Sequence, residues 1–422
     1  MKICLLCEYY PPIIPGGAEI CAKILAEGLA EAGTQVVVLT PNFQSSRTET
    51  KNKDNLKIIR YRSPKRHIYR GKTASSGIHN KTRSIHRLLI NQYAKYSAKE
   101  LAKQFEKLDK QEQFDIVHGN NIESTLALTY IKNTKAKKIG HIRDLSFYCP
   151  GYRTRNGEYC DDCNPKNIAE CQKTNRYIGR MIHKDIVVKR LKRLSRLQQL
   201  IAINEYIRQE TEKTGIPCKV YSIYDPITDN QISSLTKKEA RKKLGITRQT
   251  ILFVGSLSPQ KNAGLVIDLA KIMKETEFLV FGEGPMKPRF TEAHLPNLKY
   301  MGFSDPEMLA VYYRAADLFI NPAQKEWGIS RVVFEAMANG LPVAGFPIRG
   351  IDEIIQDNKT GFTFKSRTPE EISKEAMKIL KNKTKLARVS RTAQQNMVNK
   401  FRIRPVIKKT LQTYRKIIAG QG

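Results

Sequence analysis

The sequence predicts an α/β protein of two domains, each a parallel sheet flanked by helices, and three observations carry this. Short apolar runs such as Val36-Val-Val-Leu39 and Ile251-Leu-Phe-Val254 do not alternate with polar residues, as in strands covered on both faces. Amphipathic helical stretches separate these runs, the rhythm of βαβ units. The strand-glycine-loop-helix opening of the chain recurs at Thr250–Gly255, so 422 residues divide into two halves of similar size that would face each other across a cleft.

In the first half, Lys2–Cys7 reads as a strand and Pro11–Gly17 as a loop. Glu19–Ala32 reads as a helix with Ile20, Ile24, Leu25 and Leu29 on one face and Gly33 at its end. Gln35–Thr40 is the next strand. Gly16 and Gly17 thus sit at a strand-to-helix turn, where ligands of open α/β sheets bind. Glycine there permits either close approach of a ligand or a tight turn, and the two residues alone do not decide. From Asn55 to Lys99 there are twelve Lys or Arg and no acid, interleaved with Tyr61, Tyr69, Tyr93 and Tyr96. Pro64–Asn80 has no periodicity and reads as a surface loop. Phe114–His118 and Lys138–His141 read as strands, the latter leading to Arg143-Asp144, with a helix over Glu123–Lys132 between them.

Cys149, Cys160, Cys163 and Cys171 come next, in a stretch rich in Gly, Asn, Asp and Pro. A CxxC with two flanking cysteines suits a structural zinc site, with unrelated thiols or a disulfide pair as the alternatives. Lys184–Ile201 reads as a basic amphipathic helix whose Val187, Leu191, Leu194 and Leu197 stripe faces a core; its cationic flank would also suit an anionic membrane. Gln199–Asn204 is a strand and Glu205–Lys213 its helix. Tyr224–Leu235 has the composition of a linker.

The second half continues with a short helix Lys237–Leu244, the strand ending at Gly255, a helix over Ala263–Lys274, strands at Phe278–Phe281 and Leu298–Met301, and a helix Glu307–Ala315. Its organising stretch is Asp317–Gly350. Leu318–Asn321 is a buried strand closed by Pro322; Val332, Val333, Ala336 and Met337 recur at helical spacing; Gly340-Leu-Pro342 stops the helix before the next strand. Free amides near Ser330, Arg331 and Val332 make an anion site. One turn further in, Glu335 stands on an otherwise apolar helix, and a buried carboxylate needs a partner or a ligand hydroxyl. Phosphate and hydroxyls together describe a sugar nucleotide. Lys261, after the Gly255 loop, is placed to neutralise a diphosphate, and the Gly282-Glu283-Gly284 turn lies at the next strand end. No Asp-x-Asp pair offers ligands for a bridging metal, so no cofactor is expected for catalysis. Beyond Pro369 the chain is helical only, and its last helix is expected to cross back onto the first half.

The net charge of +33 implies a polyanionic neighbour: an acidic polymer, an anionic membrane or a nucleic acid. No apolar run reaches the roughly 20 residues of a membrane span, and the start, with Glu8, reads as a strand and not a signal peptide. Eight cysteines without a targeting segment point to a reducing cytoplasm.

The motifs Tyr10-Pro-Pro with Gly16-Gly-Ala-Glu19, Gly255-Ser-Leu-Ser-Pro-Gln-Lys261, Gly282-Glu-Gly-Pro285 and Glu335-Ala-Met-Ala-Asn-Gly-Leu-Pro-Val343 carry a resemblance, completed by Gly350-Ile-Asp-Glu353 and Asp357-Asn-Lys-Thr-Gly361. From Met1 to about Gly361 the chain resembles the retaining glycosyltransferases of family 4, of GT-B fold. The resemblance implies a nucleotide sugar bound mainly by the second half. Lys261 would bind the diphosphate, Glu335 the ribose hydroxyls, amides near Arg331 and Val332 the phosphate, and Gly17 would approach from the first half. It also implies transfer with retention, the departing phosphate helping to deprotonate the acceptor.

Three departures stand out. Ser256 occupies the position of a usual arginine, a cation that Arg331 would replace. Glu326 and Glu335 are one residue further apart than the family's usual pair, with Trp327 at the strict position; Glu326 is the expected sugar-contacting carboxylate. Arg143-Asp144 stands where many relatives have His-Asp, and His141, two residues earlier on the same strand face, is expected to reach the same space.

The expected organisation is an acceptor domain over 1–225 with a Cys-rich insert at 149–171, a nucleotide-sugar domain over 226–400 and a returning helix over 401–422. The expected activity is transfer of a hexose-type sugar to a glycan or lipid-linked acceptor, in the cytoplasm or peripherally on the inner membrane face. A sugar- or polyol-phosphate acceptor is an alternative within enzymes. A nucleic-acid binder on a Rossmann scaffold is the alternative of another class, disfavoured by the site residues.

Overall fold

The computed structural model describes residues 1–14, 16–45, 47–63, 83–149, 154–155, 158–160, 163–171, 175–324 and 330–421, and of 83–93, 154–155, 158–159 and 186 the backbone only. The chain forms two compact units, Met1–Pro226 with Val406–Gly422, and Ile227–Pro405.

The first unit is built on β1 (Lys2–Leu6), β2 (Gln35–Asn42), β3 (Glu49–Lys53), β4 (Leu56–Arg62), β5 (Ile116–Gly119) and β6 (Lys137–Ile142). After a small ribbon of β7 (Thr154–Arg155) and β8 (Glu158–Tyr159), β9 (Gln199–Ala202) and β10 (Lys219–Ser222) return to the main sheet. Its order is β10-β9-β6-β5-β1-β2-β4-β3. Every pairing is parallel except that of β3 with β4. The β3–β4 hairpin escapes the apolar pattern because β3 is exposed throughout and β4 carries Lys57, Arg60 and Arg62. Arg60 turns inward and donates to the carbonyls of Tyr10 and Pro11, so this cation ties the loop after β1 to the sheet.

Helix Arg83–Glu112 buries Ala94, Ala98, Leu101, Ala102 and Phe105, one face at helical spacing. Helix Ile403–Ile418 buries Val406, Ile407, Tyr414 and Ile417 in the same way. Its Tyr414, 0% exposed, places its hydroxyl on His118 Nδ1 at 2.5 Å, so the end of the chain belongs to the core of the first unit. The helix expected over Glu123–Lys132 is shorter, Ile122–Leu128. The basic helix begins earlier than expected and runs Arg176–Ile182, a π turn at His183–Val188, then Lys189–Leu194.

The second unit has β11 (Thr250–Val254), β12 (Glu277–Phe281), β13 (Leu298–Gly302), β14 (Leu318–Asn321), β15 (Val343–Gly345) and β16 (Phe362–Thr363). All are parallel, in the order β13-β12-β11-β14-β15-β16. The helices Pro369–Lys381 and Lys383–Phe401 close the unit. Among the described residues no helix is long and apolar enough to cross a membrane.

Candidate functional site

In both sheets the chain changes direction at one place. In the second unit it steps outward from β11 to β12 and β13, then returns to β14 on the other side, so the crevice lies at the carboxyl ends of β11 and β14. The loops found there are those the sequence singled out: Gly255–Lys261 after β11, the Gly282–Gly284 turn after β12, and Ser330 with helix Arg331–Ala338 after β14.

Gly255 and the Gly282–Gly284 turn are packed backbone to backbone. A Cβ on Gly282, at φ +128°, would stand 1.9 Å from the Gly255 carbonyl oxygen, and one on Gly284 2.4 Å from that of Leu257. Gly255 N donates to Phe281 O at 3.0 Å and Leu257 N to Glu283 O at 2.9 Å. These glycines are therefore demanded by the contact between two loops, a structural reason independent of any ligand. The Glu283 side chain accepts from Tyr300 Oη at 2.8 Å and Lys287 Nζ at 3.1 Å; those bonds hold its carboxyl below the usual range. Ser256 is exposed at the loop tip. Lys261 ends a 3-10 turn, Pro259–Lys261, begun by Ser258, and is half-buried.

Ser330, 6% exposed and extended at φ −81°, starts helix Arg331–Ala338, but its side chain makes no cap bond to the first-turn amides. Glu335 lies one turn in, its side chain 13% exposed. Gln231 Nε2 donates to its Oε1 at 2.7 Å, Tyr313 Oη donates to its Oε2 at 3.2 Å, and Arg331 lies 3.7 Å from Oε1. Burial pushes the carboxyl above its ordinary value, while Arg331 and the Tyr313 bond act the other way. An ionised carboxylate offers about four acceptor directions, of which these two donors take two. Asn339 fixes the support, its Nδ2 donating to Gln231 O at 2.7 Å and to Glu335 O at 2.8 Å. Gln231 and Tyr313 are supports of Glu335 that the sequence did not reveal: Gln231 falls in an irregular, linker-like stretch, and Tyr313, 1% exposed, in an apolar helix stripe.

In the first unit the switch falls between β1 and β5. Gly16 and Gly17, both exposed, lie after β1. Gly16 is extended at φ −165°, and a Cβ there would meet only Glu19 Oε2 at an ordinary 3.7 Å, so backbone strain does not require glycine. Glu19 accepts from Gly16 N at 2.9 Å and from Asn121 Nδ2 at 3.3 Å, linking the two loops at the switch.

His141, at the end of β6, is 4% exposed and neither ring nitrogen has a hydrogen-bond partner; its ring centroid is 5.4 Å from that of His118, whose Nε2 is likewise unpartnered. Burial, then the Arg143 charge, pushes both imidazoles below the usual histidine range, His118 to about 3, so both are neutral. Arg143, equally buried, has its donors engaged instead. Its Nη1 donates to Asp225 at 2.7 and 2.8 Å, its Nε to Asn120 O at 2.9 Å and its Nη2 to Asn120 Oδ1 at 2.8 Å. It clamps the ends of β5 and β6 to the segment after β10. Asp144 caps the turn Leu145–Phe147 by accepting from Ser146 N at 2.8 Å; burial raises its carboxyl.

Cys149 is buried, while Cys160, Cys163 and Cys171 are half-buried. Cys171 Sγ lies 3.5 Å from Ile168 O, and Cys163 packs beside Ile168 and Ile182. Among the described residues no group of three or more His, Cys, Asp or Glu side chains is placed to hold a metal ion. Glu326 and Trp327 lie outside the described residues.

Against known proteins, residues 15–231 match the model of Glycosyltransferase Family 4 and residues 236–396 that of Glycosyl transferases group 1. An uncharacterized glycosyltransferase of Methanocaldococcus jannaschii is 23% identical over 100% of both chains. Among solved structures, sucrose-phosphate synthase of Thermosynechococcus elongatus superposes with a TM-score of 0.71 at 16% identity, over 99% of each chain. HepE of Anabaena in complex with UDP-glucose gives 0.63 at 16% identity, over 98% of this chain and 100% of that one.

Proposed function

The chain belongs to the family 4 glycosyltransferases, a GT-B enzyme, and from that membership we propose transfer of a hexose-type sugar, with retention and without a metal, from a nucleoside diphosphate to a glycan or lipid-linked acceptor. The observation that carries the proposal is Glu335: a buried carboxylate with acceptor capacity to spare, one turn from an uncapped helix start at the sheet's switch point. Diphosphate oxygens would meet the first-turn amides, Arg331 and Lys261, and ribose hydroxyls would donate to Glu335. The complex of HepE with UDP-glucose supports a nucleotide-sugar donor.

In the transfer the bond from the anomeric carbon to the diphosphate oxygen breaks, and the acceptor oxygen bonds the same face of that carbon. The acceptor proton passes to the departing phosphate. Glu326 would contact the donor sugar. His141, neutral and with both nitrogens unpartnered, is the acceptor-side candidate; Asp144 would act by orienting the turn it caps. Arg143 serves that space through the clamp it forms with Asp225 and Asn120. A structural zinc on Cys149, Cys160, Cys163 and Cys171 is a separate proposal supported by their spacing alone, and reduced protein free of zinc by elemental analysis would remove it. Cytoplasmic residence, in part on the membrane, completes the proposal.

A thermal-shift panel of UDP-, GDP- and ADP-sugars tests the donor site. Stabilisation by one of these classes is expected; a steeply salt-dependent affinity for nucleic acid with no sugar-nucleotide protection would refute the assignment. An inverted product anomer would refute retention.

A further inference from the structure

The helical segment Arg176–Leu194 has an outward face that carries none of the candidate site residues. The inward face is well defined: Ile182 and Val187 form a buried cluster with Ile168, joined by Ile178 and Leu191, and Leu194 is 0% exposed. The π turn at His183–Val188 inserts one residue into the helical repeat and so rotates the turns after it. Past that turn Val187 lies inward, 7% exposed, and its neighbour Val188 outward.

The outward half exposes three large apolar side chains: Tyr177 at 71%, Met181 at 40% and Val188 at 45%. Between and beside them stand Arg176, Arg180, Lys184, Lys189 and Lys192, all exposed. The one acid of the segment, Asp185, is paired with Lys189. The basic field continues onto the neighbouring helix. There Lys95 lies among Lys189, Arg190 and Arg193 with Asp185 also near; partial burial and those cations hold its ammonium below the usual lysine range against the pull of Asp185. Lys99 and Arg193 both stand over the Tyr130 ring, at 5.7 and 4.3 Å.

We propose that this face docks the protein on an anionic lipid bilayer, Tyr177, Met181 and Val188 entering the headgroup–acyl boundary and the flanking cations meeting lipid phosphates. Apolar residues set among cations on a convex helix are the pattern of interfacial helices. A nucleic acid would use stacking rings, which Met181 and Val188 are not. A protein interface would deplete charge at the patch centre, where this one concentrates it. The inference deepens the lipid-linked acceptor reading by stating where the chain meets its membrane, and it is measured separately from donor binding.

The test is co-sedimentation of the full chain with vesicles of phosphatidylcholine, with and without phosphatidylglycerol, at low and high salt. The wild type is expected to bind only the anionic vesicles and to be released by salt. Arg180→Gln/Lys184→Gln/Lys192→Gln is expected to lose roughly a hundredfold in partitioning, about a factor of five per cation. Tyr177→Ser/Met181→Ser/Val188→Ser is expected to lose about tenfold, with the residual binding more salt-sensitive. Thermal protection by the sugar nucleotide reports folding in every variant and is expected to be unchanged. Equal binding to neutral vesicles, wild-type binding by both variants, or sensitivity of duplex DNA binding to the charge variant without any loss from the apolar one would each overturn the proposal.

Discussion

Glu335→Gln removes one acceptor oxygen without changing shape, and the geometry sets the size of the effect. The carboxylate already accepts from Gln231 at 2.7 Å and from Tyr313 at 3.2 Å, which leaves about two acceptor directions for ligand hydroxyls. In the amide one of the two oxygens becomes an NH2 that can only donate. A hydrogen bond to a charged acceptor is worth about 1.5–3 kcal/mol. Nucleotide-sugar affinity is therefore expected to fall roughly 10- to 100-fold, read by calorimetry or thermal shift. The same substitution separates a ligand role from a structural one through pH. Burial raises the folded carboxyl above its ordinary value of 4.5, so the folded state holds the proton more tightly than the unfolded chain. That contribution to stability is fully present below the unfolded value and is lost as pH rises through the folded one. The wild-type minus variant difference in unfolding free energy is expected to decline as pH rises from about 4.5. Affinity behaves oppositely, because hydroxyls are best accepted by the ionised form. An affinity for the donor within twofold of wild type, in a folded variant, would refute the assignment of Glu335 to the ligand.

Four named contacts give further outcomes. Tyr313→Phe deletes one neutral donor to Glu335 and is expected to weaken donor binding about two- to tenfold, from roughly 0.5–1.5 kcal/mol; an unchanged Kd would show that Gln231 alone positions the carboxylate. Lys261→Ala is expected to cost tenfold or more for the nucleoside diphosphate and much less for the nucleoside, by calorimetry of the two ligands; equal losses would move the lysine off the diphosphate. Gly282→Ala puts a Cβ 1.9 Å from the Gly255 oxygen at a positive φ, and should destabilise by about 3 kcal/mol in chemical denaturation; an unchanged midpoint would contradict the loop contact. Arg143→Ala leaves Asp225 buried without its partner and should cost about 3–5 kcal/mol of stability. A stable variant with only a raised KM would instead make Arg143 a substrate cation.

Most of the strands were legible because parallel strands buried on both faces read as continuous apolar runs, and the strands at the candidate site are of that kind. The elements that escaped did so for definite reasons. The β3–β4 hairpin sits at the sheet edge, where β3 is exposed throughout, so neither strand shows an apolar run. β10, Lys-Val-Tyr-Ser, buries only Val220 and so shows no apolar run, and β16 has two residues. The basic helix was misplaced because a π turn breaks the helical period on which the prediction depended.

The site divides along the same line. Lys261, Ser330 and Glu335 were legible because each stands at a strand's carboxyl end or a helix start, positions that sequence pattern marks. Their supports were not, because contact partners carry no local signal: Gln231 is 104 residues from Glu335, and Asp225 is 82 from Arg143. The glycines show how one residue type serves two purposes. Gly282 and Gly284 are required by the loop they touch, so their presence says little about a ligand. Gly16, extended and unobstructed, is required by nothing in its own surroundings. Close approach of a ligand is then the remaining reason for a glycine at that turn. A Gly16→Ala variant that keeps its stability but loses donor affinity would separate that reason from chance, and one that keeps both would leave Gly16 outside the site.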